Sequence, residues 1–201
     1  MEAFEQFVAV FLEQRNYVIS SSVKFPVKRQ TGRQDRIEIQ THGYEVDLVA
    51  ARADHLILAT VKSFLGSRGV VANHVMGTSS NVRANSLYVI LNNKNVRRSV
   101  LLQAAKKYGY QPKQVQFGFY VGRFAGPSLG VHEQQVRKWC SQQRVGAGPI
   151  EVFSLSDMVE TVVDAAVSAT QYRDNSVQMT MRLLNAAGLL SASVKESISD
   201  G

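Results

Sequence analysis

The chain has 201 residues, of which 45% are apolar, and it carries 23 Lys and Arg against 16 Asp and Glu, a net charge of +7. This length suffices for one core with a small additional unit, and the basic charge favours a polyanionic partner such as nucleic acid. The single cysteine, Cys140, excludes an intramolecular disulfide and a multi-cysteine zinc site.

The N-terminal sequence bears on location. No apolar run approaches the roughly 20 residues that span a bilayer. Glu2 and Glu5 stand where a secretory signal would carry positive charge. We therefore expect a cytoplasmic protein that is not inserted in a membrane.

The first third of the chain predicts one helix and three strands. Apolar residues recur at three-and-four spacing from residue 2 to 15, which indicates an amphipathic helix. Residues 18–27 suit a strand, and the polar, basic stretch 28–36 suits a loop or an exposed hairpin. The apolar, β-branched runs 44–51 and 56–64 are separated by four residues, which predicts an antiparallel hairpin.

The remaining sequence alternates between predicted strands and helices. Strands are expected at 86–91 and 115–124, and helices at 96–108, 132–143, 155–169 and 176–187. The glycine-rich run 145–149 looks like a hinge. We therefore expect an α/β fold with a mixed central sheet, the first helix on one face and the 96–108 helix on the other.

Two units follow from this division: a main domain over residues 1–144 and a helical C-terminal unit over 150–201. The last two helices somewhat resemble a winged-helix DNA reader or a dimerisation element, although no wing follows Leu190. The alternative is a helical pair that packs on the main sheet or on a partner subunit, so a homodimer stays open.

The predicted hairpin gathers polar side chains at its open end. Alternation along a strand places Glu45 and Asp47 on one face of the first strand, and Thr60 and Lys62 on one face of the second. Symmetric pairing sets Asp47 opposite Thr60 and Glu45 opposite Lys62. Polarity confined to one end of an apolar hairpin favours a cleft over a solvated face with a simple Glu45–Lys62 ion pair, which is the alternative.

Such a cluster suits phosphodiester hydrolysis. Carboxylates can hold Mg²⁺ or Mn²⁺, which polarises a phosphate and lowers the pKa of an attacking water, and a lysine can stabilise the developing charge.

The order of an early helix, a strand, the run from Glu45 to Ala50 and the run from Ala59 to Lys62 resembles the PD-(D/E)XK nuclease superfamily. The likeness is greatest to its Holliday-junction-resolvase, Mrr-like and YraN-like branches and covers residues 1–71 directly. It implies a restriction-endonuclease-like fold, with Asp47 as a metal ligand and Lys62 as the catalytic lysine. It further implies that Glu45 is the acidic neighbour and that Glu5 is the helix-one carboxylate.

Thr60 departs from the family pattern, because the family has Glu or Asp at that place and a hydroxyl is a much poorer metal ligand. Two explanations compete. Glu45, Glu38 or Glu5 supplies the missing charge, or the domain has lost cleavage and only binds.

Two basic segments are candidate nucleic-acid contacts. Lys28, Arg29, Arg33 and Arg36 lie in the predicted loop and could follow a phosphate backbone. Ser67 and Arg68, in the glycine-flanked turn after the lysine strand, could meet a phosphate. A solvated loop and a plain turn are the alternatives.

The function expected from these residues is metal-dependent endonuclease action on DNA, with Asp47, Lys62, Glu45 and Thr60 in the reaction and Asp47, Glu45 and Glu5 on the metal. A catalytically inactive DNA-binding protein of the same fold is the first alternative. A protein-interaction or assembly subunit, with the hairpin residues as a buried ion-pair network, is the second.

Overall fold

The structure of the protein, a computed structural model, describes residues 2–31, 38–127, 130–168 and 175–190. The strands are β1 (Val18–Thr31), β2 (Glu38–Arg52), β3 (His55–Lys62), β4 (Val115–Val121), β5 (Arg144–Val145), β6 (Gly148–Pro149) and β7 (Glu151–Ser154). The helices are α1 (Ala3–Gln14), α2 (Ala72–Met76), α3 (Val82–Ser86), α4 (Val89–Asn92), α5 (Lys94–Tyr108), α6 (Val131–Ser141), α7 (Leu155–Ser168) and α8 (Ser176–Ala186). A 3₁₀ turn spans Pro112–Gln114.

The fold is α/β, with a mixed sheet of five strands in the order β1-β2-β3-β4-β7. The first three strands are antiparallel neighbours, whereas β3, β4 and β7 run parallel. The parallel pairs need crossovers, which α2–α5 provide between β3 and β4 and α6 provides before β7. The predicted antiparallel hairpin is confirmed: Arg52 pairs with His55 across a two-residue turn.

Helices cover both faces of the sheet, as predicted. Buried residues of α2, α4, α5 and α6 form one apolar cluster with the sheet, and buried residues of α1 and α7 form a second cluster on the opposite face. In α1, the apolar stripe from Phe4 to Leu12 is buried, and a capping box between Glu2 and Glu5 satisfies backbone amides at its start. Burial of each large apolar side chain contributes about 1.5–3 kcal/mol.

Several predicted elements differ from the observed ones. The strand predicted at 86–91 is wrong, because α3 ends and α4 begins within this stretch. The predicted hinge at 145–149 is mostly the small β5-β6 ribbon. The loop predicted from residue 28 begins later, because β1 continues to Thr31.

Part of the C-terminal segment packs into the same core. β7 pairs with β4 in the central sheet, and Met158 and Val162 of α7 are completely buried against α1 and the sheet. The predicted boundary between residues 144 and 150 therefore does not divide the core. α8 has no buried residue, and its Val177 and Met181 are partly buried against the second cluster.

Candidate functional site

The strand pairing changes at Asp47. The β2-β3 ladder runs from Arg52 and His55 to Leu48 and Ala59 and is not continued beyond that pair. On the other side of β2, Ser21 pairs with Leu48 and Val23 with Val46, and the pair between them is missing. The unpaired residue of β1, Ser22, has a left-handed backbone with φ 54°. Both hydrogen-bond ladders of β2 are thus interrupted at the same residue, Asp47.

This interruption also breaks the alternation of side chains. Val46 and Val49 both pack in the cluster beneath α5, although strict alternation would place them on opposite faces. Leu48 and Ala50 pack in the α1 cluster. Asp47 lies at the switch, where its side chain is 18% exposed.

The Asp47 carboxylate takes the place of a backbone acceptor. The Val61 amide donates to Asp47 Oδ2 at 2.6 Å, a short charge-assisted hydrogen bond. Lys62 Nζ lies 3.8 Å from the same oxygen, and its side chain is 24% exposed. Within the part of the chain that the structure describes, the other oxygen, Oδ1, accepts no hydrogen bond. The protein therefore fixes this carboxylate through Oδ2.

The surroundings of Asp47 raise its pKa. Burial raises the pKa of Asp47 above its usual value, although the ammonium of Lys62 and the amide of Val61 lower it in part. The negative charges of Glu45 and Glu2 raise the pKa further. A positively charged ligand beside Asp47 would offset part of the free-energy cost of burying the ionised carboxylate.

Glu45 is placed differently from the prediction. It pairs with Lys24 of β1, with Glu45 Oε2 3.5 Å from Lys24 Nζ, and both side chains are largely exposed. The predicted Glu45–Lys62 contact is not formed; Lys62 contacts Asp47 instead. Glu45 still lines the cleft that contains Asp47.

The cleft beside Asp47 has a volume of about 270 Å³. β2 and β3 form one side of it, including Thr60 and Lys62, and residues 86–90 form the other side. Thr60 is 6% exposed. The structure therefore brings Asp47, Lys62, Thr60 and Glu45 together, as the hairpin pattern predicts.

Tyr88 is a cleft residue that the sequence analysis did not identify. It is 3% exposed, packs edge-on against Phe119, and burial raises its pKa to about 12. Residues 86–90 were expected to be a strand, so nothing in the sequence pattern placed them opposite Asp47.

The helix-one carboxylate differs from the one the family resemblance implies. Glu5 accepts a hydrogen bond from the Glu2 backbone amide at 3.1 Å in the capping box. It is Glu2 whose charge acts on Asp47. Across residues 2–31, 38–127, 130–168 and 175–190, no three acidic, His or Cys side chains come together as a metal-binding group.

The predicted basic contacts are only partly described. Arg33 and Arg36 lie outside the described residues, and the side chains of Arg29 in β1 and Glu38 in β2 are not described either. Lys28 is exposed on β1.

The turn after the lysine strand is exposed as well. The amide of Ser67 donates to the Phe64 carbonyl at 3.2 Å, which closes the turn, and Arg68 follows it at the surface. Both residues follow the end of β3, and neither lines the cleft that contains Asp47.

No family model and no curated protein matches the chain. One solved structure, described as the crystal structure of a protein of unknown function, AF1548, is similar over 94% of this chain and 79% of its own. The identity is 14% and the TM-score is 0.41. Among the described residues, no helix has both the length and the apolarity needed to cross a membrane.

Proposed function

We propose that the protein is a metal-dependent endonuclease that hydrolyses phosphodiester bonds in DNA. The observation that carries the proposal is the placement of Asp47. Its carboxylate is held by the Val61 amide and Lys62 where both ladders of β2 are interrupted, and it lines a cleft. Most of the Asp47 side chain is shielded from solvent, which a purely structural surface ion pair does not require.

The donor set fits a hard divalent cation with few protein ligands. Mg²⁺ commonly keeps several waters and uses one or two carboxylates together with substrate phosphate. Asp47, through Oδ1, and Glu45 at the rim of the cleft are the residues that would hold Mg²⁺ or Mn²⁺. Bound there, the cation would polarise the phosphate and lower the pKa of a water.

The roles of the protein groups follow from their positions. The Val61 amide fixes the orientation of the Asp47 carboxylate. Lys62, whose ammonium is already partly desolvated, would bind a phosphate oxygen and stabilise the charge that develops as the bond breaks. Thr60 would position a phosphate oxygen or a water through its hydroxyl.

The charge of the whole chain supports nucleic acid as the substrate. The net charge is +7, and Lys28 and Arg68 are exposed cations that could contact phosphates. Arg29, Arg33, Arg36 and Ser67 complete the proposed contact set. The proposal includes a cytoplasmic location.

A catalytically inactive DNA-binding protein is the second candidate function, and one observation favours it. Thr60 is neutral at the place where the nuclease family has a carboxylate, and the described residues offer no three-carboxylate group. In this case the same cleft and basic surface would bind DNA without cutting it.

Assembly into a homodimer is compatible with either function. Met179 and Leu183 of α8 are 44% and 65% exposed, and Leu189 just after this helix is 64% exposed. This apolar surface supports a subunit contact, and it is also what the assembly-subunit alternative would use.

The deciding experiment is cleavage of linear, branched and single-stranded DNAs with Mg²⁺ or Mn²⁺ by the wild type, Asp47→Asn and Lys62→Ala. Lys113→Ala is the matched control, because it removes an equal charge from an exposed site before β4, at the far end of that strand from Val121, which pairs with Lys62. Cutting that survives in Lys113→Ala and disappears in the other two supports the nuclease. Salt-sensitive binding without cutting by the wild type supports the inactive binder. If the wild type neither binds nor cuts DNA at moderate salt, the assembly-subunit alternative is supported instead.

A further inference from the structure

A second cleft, of about 360 Å³, lies at the same end of the sheet as the Asp47 site. It is bounded by residues 122–124, which follow β4, by Gly126 and Pro127, by Glu133, and by the start of α7. Its volume falls within the range of small-molecule sites, roughly 300–1,000 Å³. None of the residues in the predicted active site lines it.

The two clefts are directly connected through the backbone. Lys62, Val121 and Ser154 stand side by side on the parallel strands β3, β4 and β7. The amide of Gly122, which lines the second cleft, donates to the Lys62 carbonyl at 2.9 Å. Adjacent strands are about 4.8 Å apart, so Lys62, which lines the first cleft, and Ser154, which lines the second, stand on strands about 10 Å apart.

Arg123 supplies the cleft with an available positive charge. Its side chain is exposed, and within the described residues its guanidinium makes no ion pair and no hydrogen bond. An arginine with a free planar guanidinium suits bidentate recognition of a phosphate.

The acidic groups nearby are already bound. Glu133 Oε1 lies 2.7 Å from Arg137 Nη2, and Asp157 Oδ2 lies 2.5 Å from the same nitrogen. Asp157 also accepts the Ser154 amide at 2.7 Å. Because Arg137 neutralises part of their charge, these carboxylates oppose an anion at Arg123 less than free ones would.

The rest of the lining is mostly apolar. Pro127, Leu155 and Val159 form this wall, with the Ser156 hydroxyl beside them, and Phe124 behind it is buried in the core. An apolar wall next to a free guanidinium suits a ligand that has both a planar apolar part and a phosphate. A nucleotide has this composition.

We propose that the second cleft holds a nucleotide of the DNA strand whose neighbouring phosphate lies at Asp47 and Lys62. Arg123 binds the phosphate of this nucleotide, and its base lies against the wall of Pro127, Leu155 and Val159. The inference rests on the proposed action on DNA and adds a subsite for the same strand.

The test uses Asp47→Asn, which should bind DNA without cutting it, and a short fluorescein-labelled single-stranded DNA as the probe. Arg123→Ala in this background should weaken binding about fivefold to tenfold and reduce the salt slope by about 0.7, as expected for one lost phosphate contact. Lys113→Ala is the matched control. It removes an equal charge from an exposed site before β4, at the opposite end of the strand.

Chemical scanning of the probe separates a subsite from general charge attraction. Neutral methylphosphonate is placed at one phosphate at a time, and an abasic site at one nucleotide at a time. Arg123→Ala should lose sensitivity at one methylphosphonate position and keep it elsewhere. One abasic position should weaken binding about fivefold, in the range of a lost base contact.

The outcomes distinguish this inference from the proposed function. If Asp47→Asn and the wild type both fail to bind DNA, the proposed function fails and the subsite fails with it. If DNA is bound and Arg123→Ala behaves like Lys113→Ala, the subsite is wrong while the function stands. A scan with no sensitive abasic position would overturn the assignment of the base to the apolar wall.

Discussion

The carboxylate of Asp47 accepts the backbone amide of Val61 at 2.6 Å, immediately beyond the last pair of the β2-β3 ladder. A side chain thus satisfies an amide that lies past the end of the regular pairing. The arrangement holds the two strands together where their side chains line one side of the cleft. It also explains why the same carboxylate is both well ordered by the protein and partly deprived of solvent.

Asp47→Asn should raise the free energy of unfolding at neutral pH. The amide oxygen of Asn can still accept the Val61 amide, while the variant no longer buries an ionised group. Burial raises the pKa of Asp47 above the usual 3.8, so the native state holds this proton to higher pH than the unfolded chain does. Wild-type stability therefore falls relative to the variant as pH rises through that window.

Chemical denaturation at a series of pH values measures this effect. The stability difference between Asp47→Asn and wild type should be smallest below pH 3.8, grow as pH rises through the raised pKa, and then stay constant. A variant that is less stable than wild type at neutral pH would show that the Asp47 carboxylate is a net stabilising group. That outcome would weaken the case for a functional role.

Lys62→Ala should reduce the rate of DNA cleavage by about 10²–10³-fold, the usual effect of removing one group that stabilises transition-state charge. It should also raise the pKa of Asp47 further, because the ammonium 3.8 Å away lowers that pKa in the wild type. The pH profile of residual cleavage should therefore shift to higher pH. Steady-state rates across pH, with Lys113→Ala as the comparison, check both effects. An unchanged pH profile of cleavage would mean that Lys62 does not influence the pKa of Asp47 in the active protein.

Thr60→Asp should tighten Mg²⁺ binding about tenfold or more, because a carboxylate is a far better ligand for this cation than a hydroxyl. The site is 6% exposed, so the new charge should also lower stability in the absence of metal. Titration calorimetry with Mg²⁺ measures the first effect, and Thr60→Asn is the uncharged control of similar size. Equal Mg²⁺ affinity in the two variants would mean that no cation binds beside residue 60.

The sequence predicts the hairpin and its polar end because alternation and turn length are local properties. Asp47, Thr60 and Lys62 lie in one cleft as expected, since the β2-β3 register follows from the two-residue turn. The Glu45 contact was not predictable in this way. It depends on β1, which pairs Lys24 with Glu45. It also depends on the interruption at Ser22, which the local sequence pattern does not predict.

The other side of the cleft could not be predicted for a different reason. Residues 86–91 contain a short apolar run, and such a run fits a buried helical turn as well as a strand. Packing against the sheet decides the matter, since Tyr88 lies edge-on against Phe119 of β4. The strand β7 was missed because its four residues carry too little pattern. Its pairing with β4 is a long-range contact.

Tyr120→Phe should raise the free energy of unfolding by about 1 kcal/mol. Tyr120 is fully buried, stacks on Phe153 at 5.2 Å between ring centroids, and its hydroxyl has no hydrogen-bond partner among the described residues. Removal of that hydroxyl keeps the stacking and eliminates a buried unsatisfied group. Urea denaturation measures the change.

Gly118→Ala is the opposing control, because its Cβ would lie 2.6 Å from the Tyr120 ring and should destabilise the fold. A Tyr120→Phe variant that is about 1 kcal/mol less stable than wild type would instead show that the hydroxyl is satisfied, for which a buried water is the simplest partner.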